Sequence, residues 1–248
     1  MDFILIDWHW AYIPIICLAY IIFGMSGFGT TLIAAPFLSL YLPLSQIIPM
    51  IVILDALASF KNWYQSQQHV QYQHVKQLFP FMSIGAIVGI YLLAHSQPNF
   101  LLLMMALFCI GYSLYQLFKR SAPSQHQPKS LAALTGLLGG LFGALFGSGG
   151  FLYALFLQRN LDQKIQIQST QSLLISLSTS VRLILCLVLG LYSLPLLLLV
   201  LLLLPSMLLG VFIGRKMMKN ISLSRFNQLI YLLVLGSGIS LLLRYSAS

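Results

Sequence analysis

Apolar runs about one helix long, separated by short polar segments, cover most of this chain of 248 residues. Two of the runs are interrupted at glycines, and a shorter apolar run follows each interruption at once. The first interruption is Ser26-Gly27-Phe28-Gly29-Thr30, between apolar residues 11–25 and 31–42, and the second is Gly147-Ser148-Gly149-Gly150, between 131–146 and 151–158. Glycine is unfavourable inside a helix but lets the chain turn. The pattern therefore predicts two broken helices, each a hairpin of a longer and a shorter segment.

Continuous apolar runs fill the rest of each half and predict unbroken helices. They cover residues 44–64, 78–94 and 100–117 in the first half, and 166–189, 195–213 and 223–243 in the second. Residues 65–77 are polar and predict a loop. Residues 118–130 hold basic residues, serine, glutamine and two prolines, and they predict a hinge between the halves.

The composition indicates whether these helices lie in water or in a lipid bilayer. Hydrophobic residues make up 59% of the chain and charged residues 7%, whereas soluble proteins carry about 25% charged residues. No polar segment is long enough to form a separate soluble domain, so the sequence predicts one integral membrane domain over residues 1–248. The net charge of +9 would suggest nucleic acid in a soluble protein. Here the basic residues lie in short loops between apolar helices, so no nucleic-acid partner is predicted.

The two halves repeat one plan, and their glycines coincide at two nearby offsets. The coinciding pairs include Gly27 with Gly147 and Gly29 with Gly149 at an offset of 120, and Gly85 with Gly210 and Gly89 with Gly214 at an offset of 125. These coincidences indicate an internal duplication, with repeat one at 1–117 and repeat two at 131–248. The later glycines, four residues apart in each half, are expected to pack helix against helix.

The distribution of basic residues predicts the orientation of the repeats. If each broken helix returns to the side on which it started, the loops at 61–77, 118–130, 159–165 and 215–225 share one side. That side then holds eleven of the 13 lysines and arginines, namely Lys61, Lys76, Lys119, Arg120, Lys129, Arg159, Lys164, Arg215, Lys216, Lys219 and Arg225. Basic loops face the cytoplasm. The sequence therefore predicts an all-α integral membrane protein of two inverted repeats, each a broken helix hairpin plus three transmembrane helices. It would be a multi-pass protein of the cell membrane with both termini on the non-cytoplasmic side.

The two breaks also point to a binding site. A helix break at membrane depth leaves backbone amides without partners, so it survives only where it lines a cavity in the protein. The N-terminus of the helix that follows favours an anion. We therefore interpret the breaks as the walls of one anion site. The candidate residues here are Ser26, Gly27, Gly29, Thr30, Thr31, Ser148, Gly149 and Gly150. The alternative is that the glycines serve only tight helix packing.

Two charged residues inside apolar helices add to this interpretation. Arg182 lies about 12 Å from the end of its helix at 1.5 Å per residue, where an unpaired arginine costs up to about 3 kcal/mol. It either reaches to the outer surface or acts as the substrate's countercharge. Asp55 is the only acid within an apolar helix. It either pairs with Arg182 or titrates as the proton-coupling group, and the sequence leaves both open.

The helix after the second break is unusually polar, and Gln171 and Ser172 are further candidates for substrate binding. Residues 168, 172, 176 and 179 share one face of this helix, as expected for a cavity lining. Hydrogen bonding between helices is the alternative.

Nothing in the sequence groups a nucleophile with a base, forms a phosphate-binding loop or spaces metal ligands. The sequence therefore predicts a protein that is not an enzyme and that has no catalytic residue, cofactor or metal. Cys17, Cys109 and Cys186 lie far apart in apolar helices. They are expected to be buried packing residues, with thiol chemistry as the alternative.

Two stretches, Phe23-Gly-Met-Ser-Gly-Phe-Gly-Thr-Thr-Leu-Ile-Ala-Ala-Pro36 and Gly139-Gly-Leu-Phe-Gly-Ala-Leu-Phe-Gly-Ser-Gly-Gly-Phe-Leu152, resemble the TauE/SafE sulfite exporter family of membrane permeases. The resemblance extends over nearly the whole chain. It implies transport of small sulfur-containing anions such as sulfite, sulfoacetate or other organosulfonates. The expected partners are then a small anionic substrate and the lipid bilayer, and a homo-oligomer is left open. The alternatives are a permease for a different small anion, a non-transporting subunit of a membrane assembly, or an intramembrane enzyme.

Overall fold

The computed structural model describes residues 9–118 and 129–218, with short stretches between 234 and 246. Over the two long stretches the chain is α-helical and contains no strand, which confirms the all-α prediction. The helices are α1 (Tyr12–Ser26), α2 (Thr30–Leu38), α3 (Leu44–Ser66), α4 (Tyr72–His95), α5 (Pro98–Phe118), α6 (Lys129–Phe146), α7 (Gly149–Asn160), α8 (Lys164–Val188) and α9 (Leu194–Met218). Most of the predicted hinge, most of the predicted helix at 223–243 and the start of the chain lie outside the described residues. The sidedness of the termini stays a prediction.

Both predicted broken helices are present. In the first, α1 ends at Ser26 and α2 begins at Thr30. In the second, α6 ends at Phe146 and α7 begins at Gly149, two residues earlier than predicted. Gly149 and Gly150 are therefore part of the helix that follows the break.

The predicted loop at 65–77 is wrong, because helical structure continues through most of it. Helix α3 extends to Ser66, a 3₁₀ turn covers Gln67–His69, and α4 begins at Tyr72. Val70 and Val75 are buried in one hydrophobic cluster with side chains of α7 and α8. This packing holds an otherwise polar segment in place, and tertiary packing is the main source of helix stability in proteins.

The helices of the two halves pack in corresponding pairs. Helix α1 packs against α9, and α6 packs against α4, while α3 and α8 lie against each other. Exchanging α1 with α6, α3 with α8 and α4 with α9 leaves this set of contacts unchanged. The packing therefore supports the predicted internal duplication, whereas the inverted orientation of the repeats stays a prediction.

Glycines allow the corresponding pairs to approach closely. A Cβ atom on Gly85 would lie 2.9 Å from the backbone nitrogen of Leu141 in α6, and one on Gly210 would lie 3.1 Å from that of Ile21 in α1. Leu141 and Ile21 are again separated by the offset of 120. The prediction that these glycines pack helix against helix is confirmed.

The surface of the bundle is apolar. Among the residues that the structure describes, three helices are long and apolar enough to cross a membrane, at Tyr72–His95, Ile165–Val188 and Leu194–Met217, and shorter apolar helices accompany them. The outer face of α9 exposes large side chains, with Leu201 60% and Phe212 67% exposed. Such a surface suits hydrocarbon, and the chain is an integral membrane protein.

Candidate functional site

The first break turns on two glycines in the left-handed conformation. Gly27 caps the C-terminus of α1 with φ of 80°, and Gly29 precedes α2 with φ of 90°. A side chain makes this conformation unfavourable. A Cβ atom at either position would have no atom within 4 Å to collide with. The backbone conformation, and not a shortage of space, therefore requires glycine here.

The second break requires glycine for space as well. Gly147 is left-handed, with φ of 63°. In the first turn of α7, a Cβ atom on Gly149 would collide with the carbonyl oxygen of Gly139 in α6, and one on Gly150 would lie 2.7 Å from the Cβ of Phe28. The first turn of α7 is thus held tightly between α6 and the first break.

The two breaks contact each other. A Cβ atom on Gly147 would lie 2.7 Å from the Cβ of Thr31 in the first turn of α2. Phe28, from the middle of the first break, packs against Gly150. The first turns of α2 and α7 therefore come together, and each contributes the partial positive charge of a helix N-terminus.

A small cavity lies where the breaks meet. It is lined by α1, α2, α3, α6, α7, α8 and both breaks. The lining residues are Phe23, Phe28, Gly29, Thr30, Asp55, Gly143, Gly147, Gly149, Gly150, Tyr153, Ile175, Ser178, Thr179 and Arg182. The structure thus brings together Asp55, Arg182 and parts of both predicted breaks.

Asp55 of α3 is 4% exposed and is held by hydroxyl groups. Its Oδ1 accepts a hydrogen bond of 2.8 Å from the Tyr20 hydroxyl of α1. The Thr30 hydroxyl, at the start of α2, lies 2.8 Å from Oδ1 and 2.9 Å from Oδ2. The carboxyl group therefore links α3 to both helices of the first hairpin.

Arg182 of α8 is 3% exposed, and it lines the cavity instead of reaching the surface. Its Nε and Nη2 atoms are buried with no hydrogen-bond partner in the described part of the chain. Asp55 takes its hydrogen bonds from Tyr20 and Thr30, so the two charged side chains share a cavity without forming a hydrogen-bonded pair. A buried guanidinium with unused donors can bind an anion.

Several predicted site residues lie outside the lining of the cavity. They are Gly27, Thr31, Ser148, Gln171 and Ser172, and the side chain of Ser26 lies outside the described residues. The hydroxyl group of Ser148 donates to the carbonyl oxygen of Phe142 at 3.3 Å, and Nε2 of Gln171 donates to that of Gly150 at 3.4 Å. These two side chains therefore hydrogen-bond to the backbone at the second break and in the first turn of α7, and neither lines the cavity. A role in substrate binding stays a prediction for all six residues.

The predicted polar face of α8 divides between two roles. Thr179 lines the cavity. Ser176 instead donates from its hydroxyl group to the carbonyl oxygens of Ser59 in α3 at 3.0 Å and Ser172 at 2.9 Å. Ser176 therefore forms a hydrogen bond between helices, as the alternative interpretation of this face expects.

Sequence reasoning missed Tyr20, Phe28 and Ser178 as site residues. Tyr20 looks like any other aromatic side chain in an apolar run. Phe28 could have been recognised from the sequence, because it is a large side chain between the two glycines of the first break. The three cysteines lie in described helices and do not line the cavity.

These features define a class of protein. Interrupted helices in corresponding halves of a helical membrane protein, meeting at a buried polar cavity, are the architecture of secondary transporters. A family model described as "Sulfite exporter TauE/SafE" matches residues 12–241. The chain belongs to this family of membrane transporters.

A curated relative agrees with this assignment. The chain is 22% identical over 197 residues to the "Probable inner membrane transporter protein TsaS" of Comamonas testosteroni, and the match covers 77% of this chain and 81% of the relative. No solved structure gives a significant match.

Proposed function

We propose that the protein moves a small sulfur-containing anion, such as sulfite or an organosulfonate, across the cell membrane. The anion binds in the cavity between the two breaks, with Arg182 as its countercharge. The observation that carries this proposal is the buried guanidinium of Arg182, whose Nε and Nη2 have no partner in the described protein. The cavity that holds it also borders the first turns of α2 and α7.

The charge of the cavity supports an anion. Two helix N-termini contribute roughly half a positive charge each, within their first turns. Arg182 adds a full charge and a planar set of donors that suits a tetrahedral or planar oxyanion. Ser178 and Thr179 add hydroxyl groups to the lining. Oxyanions of sulfur need only such donors and no metal.

The cavity is small, which supports a small substrate such as sulfite or a short organosulfonate. The curated relative is named as a probable inner membrane transporter, which agrees with a location in the cell membrane.

The transport mechanism follows from the two-fold plan of the helix packing. With inverted repeats, the two halves rock about the cavity and expose it to one side of the membrane at a time. Both termini then lie on the non-cytoplasmic side. Reporter fusions at each terminus that fluoresce only in the cytoplasm test this orientation, and fluorescence at both ends would contradict it.

Uptake by protein reconstituted in liposomes tests the function. The anions offered are sulfite, thiosulfate, methanesulfonate and sulfoacetate, with phosphate and nitrate as anions of other classes. We expect uptake of at least one sulfur anion, lost by about tenfold or more in Arg182→Ala. Arg159→Ala is the matched control, because Arg159 lies in the last turn of α7 and outside the cavity lining.

Each outcome of this screen decides between the candidate functions. Uptake of phosphate or nitrate alone would make the protein a permease for another anion. No uptake of any anion by correctly inserted protein would favour a non-transporting subunit. Unchanged uptake in Arg182→Ala would remove Arg182 from the site.

A further inference from the structure

An acid in a cavity built for an anion needs an explanation. Asp55 and Arg182 line the same cavity, and each side chain is nearly inaccessible, at 4% and 3% exposure. An anion that enters meets one attractive and one repulsive charge in surroundings of low dielectric constant, where both effects are strong. The ionised Asp55 therefore opposes the binding that Arg182 favours.

The partners of Asp55 allow it to change its charge. Tyr20 and Thr30 contact it through hydroxyl groups, which both donate and accept hydrogen bonds. The Tyr20 hydroxyl also lies 3.5 Å from the carbonyl oxygen of Ile51, a second acceptor. When Asp55 gains a proton, it can donate to the Thr30 oxygen while Tyr20 turns toward Ile51. A hydroxyl partner can thus change from donor to acceptor, which a lysine or a backbone amide partner could not do.

Few ionisable groups face Asp55. Within the described residues they are Tyr20 from α1 and Arg182 from α8, and Tyr153 from α7 lines the same cavity. Helix α2 contributes the hydroxyl of Thr30. Helices α5 and α9 and the 3₁₀ turn, which also pack against α3, contribute no residue to the lining. The charge of the cavity thus depends on Asp55, Arg182 and the anion.

An anion and a proton that bind together leave the charge of the cavity unchanged when the anion is monovalent. The empty cavity holds ionised Asp55 and Arg182, and the loaded cavity holds neutral Asp55, Arg182 and the anion. The partial charges of the two helix N-termini are the same in both states. Either ligand alone changes the charge inside the membrane by one unit, which is unfavourable.

We propose that Asp55 carries one proton for each anion that the cavity takes, and that Tyr20 and Thr30 hold its carboxyl group in both states. The protein is then a proton-anion symporter. This inference rests on the proposed function, because it uses Arg182 as the anion's countercharge. Tyr20 is a positioning residue that acts through Asp55.

Binding and proton movement test the inference in the full-length protein. The probe is methanesulfonate, because its sulfonate group stays ionised over the working pH range and any pH dependence reports the protein. We expect its affinity for the wild type to fall by about tenfold or more as Asp55 ionises with rising pH, within the roughly 5–150-fold range of couplings between sites. In liposomes, a pH-sensitive dye should record one proton entering with each methanesulfonate.

The Asp55→Asn variant mimics the protonated state. We expect it to bind methanesulfonate with an affinity that no longer depends on pH, and to exchange the anion across the membrane without accumulating it in a proton gradient. Asp162→Asn is the matched control, since Asp162 is an exposed acid between α7 and α8. Tyr20→Phe removes one donor to the carboxylate, so its binding profile should move to higher pH, whereas a purely structural change would lower affinity at every pH.

The possible failures are distinguishable. Sulfite exchanges a proton within the working pH range, so the proton count is made only with a sulfonate, methanesulfonate or sulfoacetate. Wild-type protein that transports no sulfur anion would overturn the proposed function and this inference with it. Anion uptake without proton entry, uptake driven by a sodium gradient, or accumulation by Asp55→Asn equal to the wild type would overturn this inference alone. The proton count needs only the wild type, so it decides the question even if the variants do not fold.

Discussion

Replacing Arg182 with methionine tests whether the chain keeps this arginine for its ligand or for its own stability. Methionine has a similar volume and no donor. In the described protein the Nε and Nη2 of Arg182 have no hydrogen-bond partner, so the substitution removes no hydrogen bond at these atoms. An arginine kept for function should make the empty protein less stable than the methionine variant.

The magnitude follows from burial. The side chain is 3% exposed, and a buried donor without a partner costs about 1–3 kcal/mol. Replacing buried charges with apolar side chains of similar volume often stabilises a protein by about 1–4 kcal/mol. We therefore expect the free energy of unfolding to rise by at least about 1 kcal/mol, which raises the melting temperature by about 2–4 °C for a chain of this size.

Asp55 must be controlled in this experiment, because removing Arg182 leaves the acid without its countercharge. The clean comparison is therefore between Asp55→Asn and the double variant Asp55→Asn with Arg182→Met, neither of which has an acid in the cavity. The gain in stability should be largest there and smaller when Arg182→Met is made in the wild type.

The assay is thermal unfolding in detergent, followed by the fluorescence of the three tryptophans. Adding the transported anion at about 100 times its Kd should stabilise protein that retains Arg182 by about 2.7 kcal/mol. The methionine variants should gain nothing. A double variant that melts below Asp55→Asn would contradict this expectation, since it would show that the guanidinium supports the fold.

Three glycine substitutions separate the reasons for glycine in this chain, by melting temperature and anion uptake. Gly149→Ala should abolish uptake and lower the melting temperature sharply, because its methyl group would collide with the Gly139 carbonyl oxygen. Normal uptake by this variant would show that α6 and α7 can separate. In Gly29→Ala the added methyl group meets no atom within 4 Å. The free energy of unfolding should fall by only about 1–2 kcal/mol, because the backbone there is left-handed. A variant that is inactive although its stability is unchanged would contradict this expectation. Gly111→Ala in α5 also has open space and should be neutral or stabilising by up to about 1 kcal/mol; a loss of stability there would point to a contact outside the described residues.

Much of the fold could be predicted because its determinants are local. Long apolar runs predict membrane helices wherever they occur, and glycines at 27, 29 and 147 break two of them at corresponding places. The polar segment at 65–77 was predicted wrongly because its conformation depends on Val70 and Val75 packing against distant helices. Local composition carries no information about that contact.

The sequence alone was enough to predict a helical membrane protein with two broken helices and with one arginine and one acid inside apolar helices. The folded structure was needed to show that both charged side chains are buried in one cavity between the breaks. It also showed that the partners of Asp55 are Tyr20 and Thr30, which lie 35 and 25 positions away. The physical reason is that a helix apolar on every side carries no pattern that fixes its rotation about its own axis. Helix packing sets that rotation, and with it which side chains face the cavity.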